Sequence, residues 1–198
     1  MKLSKIVVVA SALSLAVAGC AVPMGPVEVT RFHVPDVSAL GKGPITVEPA
    51  AGMDGNSLEW RSYQMAVQRK LILLGYSDGS GTASAQVAEL RMARRTIEPG
   101  AGGSPVSVGI GGSTGSYGSG LGVGLGINLS PKPARQVETL LAVVIRDRAS
   151  KAPLWEGRAL YTVRATSPLA DTALAAPKLA DALFKDFPGQ SGETIQVP

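Results

Sequence analysis

A glycine-rich segment without charged residues restricts the possible folds of this chain more than any other feature. Residues 99–131 contain no Asp, Glu, Lys or Arg, and residues 100–126 hold twelve of the 24 glycines. Glycine at this density is a very poor helix former, which argues against a transmembrane helix. Apolar residues alternate with Gly, Ser or Asn over residues 106–110 and 121–129. Period two is typical of strands, so we predict a β-hairpin insert with residues 113–119 at its tip.

The same segment resembles several functional motifs, and each fails on its spacing or on the residues that should surround it. Gly111-Gly112-Ser113-Thr114-Gly115 matches a nucleophile elbow, which needs a helix after it and a histidine base. No helical pattern follows, and the only histidine, His33, lies upstream. Neither a dinucleotide fingerprint nor a phosphate loop fits the glycine spacing. We therefore expect a ribbon that does no chemistry and either packs on its own domain or a second copy, inserts into a membrane, or stays a partly disordered loop.

The first 19 residues read as a secretion signal that ends at a lipid-attachment cysteine. Lys2 and Lys5 precede an apolar run at residues 6–17, which is too short to span a membrane. Val17-Ala18-Gly19-Cys20 resembles the lipobox of bacterial lipoproteins, which implies cleavage before Cys20 and acylation of its sulfur and of the new amino terminus. A lone cysteine in an exported chain is then explained by lipidation. An ordinary signal peptide with a chance cysteine is the alternative.

The lipid on Cys20 makes the membrane the first expected partner. Several acyl chains, at about 0.8 kcal/mol per buried methylene, anchor a protein firmly. Ala21 follows the cysteine, where an aspartate would resemble an inner-membrane retention signal, so we expect the periplasmic face of the outer membrane. Without Lys2 and Lys5, 17 basic residues remain against 15 acidic ones, a net charge of +2. This balance does not indicate nucleic-acid binding.

After a lipidated tether at residues 20–26, residues 27–198 are expected to form one domain. Strands are predicted at residues 27–33 and 45–48 because β-branched residues cluster there. A helix is predicted over residues 57–74, with Asn56 as its N-cap, Glu59 in a capping-box position and Gly75 after its end.

In the remainder of the domain, the sequence predicts three strands and a helix. The strands cover residues 83–98, 137–148 and 154–164, the last two joined as a hairpin. A helix over residues 177–187 would start at Pro177, since the first helical turn tolerates proline. Its buried stripe would contain Ala180, Leu183, Phe184 and Phe187. This order predicts an α+β two-layer sandwich, an antiparallel sheet with two helices on one face and the glycine-rich β-hairpin as an insert.

No motif with the partner residues that catalysis, cofactor binding or metal binding needs is present in the sequence. The chain has one histidine, no Cys/His cluster and no paired acidic motif, and His33 with Asp36 is typical of solvated residues. Four arginines instead indicate a binding face. Arg91 and Arg95 share one face of a predicted strand, and Arg158 and Arg164 share one face of another. If these strands are neighbours, the arginines would suit anionic glycolipid or peptidoglycan; a solvated sheet face is the alternative.

Three segments, in this order, resemble a family of bacterial lipoproteins known as domain of unknown function 4136. They are "AVQRKLILLGY" at the end of the first helix, "PLWEGRA" in the hairpin and "LADALFKDFPG" in the last helix. The resemblance implies an envelope lipoprotein without assigned activity. We therefore expect a structural, assembly or partner-binding role, with an envelope protein or a second copy as partner. Self-assembly through the open edge of the ribbon is a further possibility.

Overall fold

A computed structural model describes residues 25–79, 84–98, 106–113, 120–127 and 134–198, with only the backbone described for residues 106–113 and 120–127. Seven of the described strands form one sheet in the order β3-β2-β4-β7-β8-β1-β9. The elements, in chain order, are β1 (Val27–His33), β2 (Pro44–Pro49), α1 (Leu58–Leu73), β3 (Ser77–Asp78), β4 (Gln86–Ile97), β5 (Val106–Ser113), β6 (Gly120–Ile127), β7 (Gln136–Asp147), β8 (Pro153–Arg164), α2 (Thr172–Leu183) and β9 (Thr194–Val197). The two helices pack against each other over one face of the sheet. The predicted α+β class is confirmed.

The sheet is mixed, whereas the sequence predicted an antiparallel sheet. β2 runs parallel to β4, with Ile45 opposite Gln86 and Val47 opposite Ala88. The connection between them contains α1, and a helical crossover returns the chain in the direction in which it left. The pairs β4–β7, β7–β8, β8–β1 and β1–β9 are antiparallel, and the two residues of β3 pair parallel to β2.

The start of α1 differs by one residue from the prediction. Ser57, not Asn56, is the N-cap, and its Oγ accepts from the Trp60 amide at 3.1 Å. Glu59 does not close a capping box. Its carboxylate accepts instead from the Thr172 hydroxyl at 3.0 Å, so it ties α1 to the start of α2.

The end of α1 is as predicted. Gly75 has a φ of +104°, a conformation that glycine adopts without the penalty of a side chain. Its amide donates to the Ile72 carbonyl at 3.1 Å, and the Tyr76 amide donates to the Leu71 carbonyl at 3.2 Å. This pair of bonds is the Schellman motif, which satisfies two carbonyls that the helix itself leaves free.

The last helix begins and ends earlier than the sequence predicted. Asp171 caps it by accepting from the Ala173 amide at 2.8 Å, so Pro177 lies inside α2 and not in its first turn. α2 ends at Leu183, and Phe187 lies beyond it. Phe187 still packs on the core, with its ring 5.2 Å from that of Trp155. A strong cap and an alanine-rich first turn outweigh the single amide hydrogen that proline removes.

The core lies between the sheet and the two helices. Trp155 is fully buried there and stacks on Phe184 at 5.2 Å between ring centroids. A Cβ at Gly157 would lie 2.2 Å from the Trp155 ring, so glycine at this position makes room for the indole. The alternate residues of β8 face the other way, as the sequence predicted for this strand and for β4.

The glycine-rich segment is described in part. β5 and β6 pair antiparallel with Gly109 opposite Gly124, but residues 114–119 and the joins to the sheet lie outside the described residues. The hairpin insert therefore stays a prediction, as do the signal segment and Cys20, which also lie outside. Among the described residues, no helix is long and apolar enough to cross a membrane.

Candidate functional site: the open face of the sheet

Strand register places all four predicted arginines on the sheet face that the helices leave open. Ala142 of β7 lies between Arg91 of β4 and Arg158 of β8 in one cross-strand row. Side chains in such a row point to the same side of the sheet. Arg95 is in the row of Glu138, and Arg164 is in the row of Gln136. β4 and β8 are separated by two inter-strand distances, so the backbones of Arg91 and Arg158 lie about 10 Å apart.

This face contains a groove of about 570 Å³. Its floor is the half-buried row Leu140, Ala142 and Val144 along β7, the strand at the centre of the sheet. Charged side chains line the sides, and Ala50 and Ala51 close one end. The charged residues are Glu89, Arg91, Arg146, Glu156 and Arg158. Three arginines against two glutamates give this lining a net charge of +1, so the groove combines an apolar floor with a weakly positive rim.

The three arginines of the groove differ in whether a carboxylate of the protein already pairs with them. Arg146 pairs with Glu89 at 2.9 Å. Arg91 donates to the Ala51 carbonyl at 3.0 Å and has no ion pair with a described residue, nor has Arg158. Arg91 and Arg158 therefore carry the positive charge available to a ligand.

The two remaining predicted residues lie away from the groove. Arg95 donates twice to the Glu138 carboxylate, at 2.6 and 3.0 Å. The hydrogen bond and the charge of Glu138 raise the pKa of Arg95, which keeps the guanidinium charged but neutralised by its partner. Arg164 is exposed at the end of β8. The structure thus brings Arg91 and Arg158 together at the groove and leaves Arg95 and Arg164 at the far end of the face.

Sequence reasoning did not identify Arg146 or the apolar floor as part of this site. The signal was present: Leu140 to Ile145 is a continuous apolar run, "LLAVVI", in a strand whose neighbours alternate. A strand that is apolar on both sides is expected to be covered on both sides. Here the helices cover one side, and the groove lies on the other.

Two further features lie at the end of β1 that carries Arg31 to His33. Arg31 is buried to 1% exposure, and its guanidinium donates to the Lys185 carbonyl just beyond α2. This contact places a cation at the negative end of the helix dipole. A smaller cavity of about 230 Å³ lies beside Phe32 and His33. The His33 Nδ1 is 2.7 Å from the Val34 carbonyl oxygen, and within the described ranges no three His, Cys, Asp or Glu side chains are grouped to hold a metal ion.

The fold and this face define a class: an α+β domain with a helix layer on one side of a mixed sheet and an open face on the other. The chain belongs to the family described as a domain of unknown function, DUF4136, which matches residues 33–189. An uncharacterized protein of Zymomonas mobilis subsp. mobilis is 28% identical over 87% of this chain and 80% of its own length. None of these matches carries an assigned activity.

One solved structure shares the architecture at low sequence identity. A PDZ domain protein from Parabacteroides distasonis has a TM-score of 0.50 at 10% identity, covering 87% of this chain and 39% of that one. This chain therefore spans less than half the length of that protein, and the likeness concerns the fold alone. A PelC dodecamer from Paraburkholderia phytofirmans has a TM-score of 0.36 at 11% identity over 80% of this chain and 96% of that one, which is too low to support an argument.

Proposed function

We propose that this protein is a lipid-anchored, non-catalytic binding protein of the bacterial envelope that presents the open sheet face to an anionic partner. The observation that carries the proposal is the row in which Arg91 and Arg158 flank Ala142 above the apolar floor of the groove. A sheet face that contacts only solvent would not need a row of apolar residues at its centre. The groove volume of about 570 Å³ also falls within the range of about 300–1,000 Å³ that is usual for ligand sites.

The chemistry of the groove favours a phosphorylated glycolipid over peptidoglycan. Guanidinium groups bind phosphate through paired hydrogen bonds, and Arg91 and Arg158 can reach one phosphate from two sides. Leu140 and Val144 on the floor offer an apolar surface to a hydrocarbon chain. Peptidoglycan is polar along its length, so it would match the arginines and leave the floor without a partner.

Binding to the groove can be measured by calorimetric titration of the chain from residue 20, with Cys20→Ser to remove the lipid. The ligands are a short-chain phosphorylated glycolipid and the same molecule without phosphate. Arg91→Gln and Arg158→Gln should each weaken binding of the phosphorylated form about tenfold or more, since each removes a charged hydrogen bond. Arg164→Gln, on the same face but away from the groove, is the matched control and should change little. Equal affinity for the ligand without phosphate would refute the proposal.

The proposed anchorage is at the outer membrane, on its periplasmic face, through a lipid on Cys20. It is supported by the lipobox-like sequence and by the absence of any second cysteine. Protein from the membrane fraction should have the intact mass of the chain from Cys20 with acyl groups added. Cys20→Ser should move the protein to the soluble fraction. An unmodified mass in the parent would end the proposal of lipid anchorage without affecting the groove.

Self-assembly is a second candidate, favoured by one observation on the glycine-rich segment. In the described part of the chain, β5 and β6 pair with each other and with no strand of the main sheet. Their outer edges are therefore available for pairing with another copy. Deletion of residues 100–126 should lower the oligomer size measured by sedimentation if the ribbon assembles the protein. An unchanged size would exclude this role.

A further inference from the structure

The outward side of α1 carries apolar side chains that no described residue covers. The exposed fractions are 81% for Leu58, 60% for Met65, 46% for Ile72 and 72% for Leu73. Spacings of seven residues from Leu58 to Met65 and from Met65 to Ile72 align these side chains along the helix. Trp60, Tyr63, Val67 and Leu71 occupy the opposite, buried side. α1 is therefore apolar on two sides, and its core contacts account for only one.

Two arginines lie within the same exposed surface. Arg61 and Arg69 are exposed and fall between the apolar residues at helical spacing. Neither guanidinium has a hydrogen-bond or ion-pair partner among the described residues. We name this surface the outer stripe. Its members are Leu58, Arg61, Met65, Arg69, Ile72 and Leu73.

Glu59 of α1 and Asp181 of α2 contact residues outside the outer stripe. Glu59 contacts Thr172 of α2 and lies 3.8 Å from Arg94 of β4. Asp181 of α2 pairs with Lys70 at 2.8 Å. The outer stripe itself contains no acidic residue and has a charge of +2. A cationic surface with exposed apolar side chains is complementary to an anionic, amphipathic one.

We propose that the outer stripe lies on the surface of an anionic phospholipid bilayer, with its apolar side chains between the headgroups and its arginines on lipid phosphates. Interfacial helices bind membranes in this way, with an apolar side in the headgroup region and basic residues around it. A second copy of the chain is a poorer fit, because it would bring the same two arginines against each other. The stripe is about 24 Å long, which allows several lipid headgroups to contact it at once.

This inference rests on the proposed function in one respect. The seven Cα–Cα steps from Cys20 to Val27 span at most about 25 Å, so a lipid on Cys20 would hold the domain within about one domain thickness of the bilayer. Tethering at this distance raises the local concentration of headgroups and makes a weak surface contact sufficient. With the helix layer on the membrane, the open face of the sheet points away from it and stays accessible to a ligand.

The contact can be tested by flotation with vesicles of phosphatidylcholine alone or with phosphatidylglycerol added. The protein is the chain from residue 20 with Cys20→Ser, so that no attached lipid contributes. It should bind the anionic vesicles at least about tenfold more strongly than the neutral ones, since each arginine adds to the attraction. Met65→Glu combined with Ile72→Glu should abolish the binding, and Arg61→Gln combined with Arg69→Gln should remove the preference for anionic lipid.

Two variants on the other face serve as controls. Phe32→Glu introduces one glutamate at another exposed apolar residue, which lies on the open face of β1 and is 50% exposed; vesicle binding should be unchanged. Arg91→Gln combined with Arg158→Gln should lose the glycolipid of the groove and keep vesicle binding. If the groove variant loses vesicle binding and the Met65 and Ile72 variant keeps it, the membrane contact lies on the sheet face and the proposal is wrong. Circular dichroism of each variant verifies the fold.

Other occupants of the outer stripe give different results. If a second copy covers it, Met65→Glu with Ile72→Glu will convert a dimer to a monomer in sedimentation, and the parent will not float with vesicles. If the chain's own glycine-rich segment covers it, the parent will not float with vesicles, and only the variant without residues 100–126 will bind them. Either result overturns the proposal. Because the vesicle assay uses protein without lipid, failure of lipidation at Cys20 leaves its outcome intact, so the two proposals can fail separately.

Discussion

The two faces of the sheet are built from the same strands and differ in what covers them. On β7, Leu141, Val143 and Ile145 face the helices and are completely buried, whereas Leu140, Ala142 and Val144 face the groove and are half-buried. Both sets are apolar, so hydrophobicity alone does not separate them. The difference arises on the neighbouring strands, which place Glu89, Arg91, Glu156 and Arg158 on the open side beside the floor.

The comparison shows where the stability of this fold comes from and where its binding capacity lies. Burial of apolar area contributes about 25 cal/mol per Å², so the covered face stabilises the domain far more than the open face. Residues on the open face contribute less to stability and can therefore be used for ligand binding. Substitutions on the two faces of one strand should therefore separate stability from binding.

The largest effect is expected at Trp155 on the covered side of β8. Trp155→Ala removes a fully buried indole that stacks on Phe184, and it should lower the free energy of unfolding by about 3–5 kcal/mol. Leu160→Ala, on the open side of the same strand, should lower it by about 1 kcal/mol. Urea denaturation of the chain from residue 20, with Cys20→Ser, measures both. Equal losses would mean that the open face is covered as fully as the other.

A smaller loss is expected when a methyl group is added on the covered face. Gly157→Ala places a Cβ 2.2 Å from the Trp155 ring and 2.8 Å from the Leu183 Cδ1, and overpacking of this kind costs about 1–3 kcal/mol. At Gly25 the nearest atom to an added Cβ is 3.7 Å away, which makes Gly25→Ala the control with little change. Thermal melts of the two variants should differ clearly, and coincident melts would show that the indole can move aside.

The helix layer that creates the covered face depends on the N-cap of α1. Ser57→Ala removes the acceptor of the Trp60 amide and should lower the free energy of unfolding by about 1 kcal/mol. Asn56→Ala should be nearly neutral, since the structure assigns the cap to Ser57. The reverse ranking in chemical denaturation would restore the cap that the sequence first indicated.

The smallest effect is expected at the far end of the open face. Arg95 and Glu138 form an exposed pair, and exposed pairs contribute little to stability. Arg95→Gln should leave the denaturation midpoint and the glycolipid affinity of the groove unchanged. A loss of affinity equal to that of Arg158→Gln would extend the binding site along the whole face.

Local sequence predicted most elements because their causes are local. The period-two pattern of β8 separated Ala159 and Tyr161 from Arg158 and Leu160, and the structure confirms this division. Gly75 predicted the end of α1, because the left-handed conformation it adopts favours glycine. The predicted start of α2 was wrong because Pro177 is a strong local signal for a first helical turn. The cap at Asp171, which overrides this signal, depends on a single side-chain contact.

Face sharing among Arg91, Arg95, Arg158 and Arg164 was predicted on the condition that their strands are neighbours, and this condition is not met. β7 lies between β4 and β8, so the strands are second neighbours, and the register of both ladders decides which arginines approach. The parallel pairing of β2 with β4 was missed for a similar reason. A pattern of alternation reports which face a residue takes and carries no information on the direction of the neighbouring strand.

The sequence by itself indicated most of the elements, the sidedness of the strands, the α+β class and the candidate lipid site at Cys20, because these depend on residues close together in the chain. Only the tertiary structure decided that Arg91 and Arg158 meet across Ala142, that an apolar floor lies between them and that α1 keeps a second apolar side without cover. These features arise from contacts between segments far apart in sequence. Their geometry is set by strand register and helix packing, which minimise the exposed area of the whole core and not of any one element.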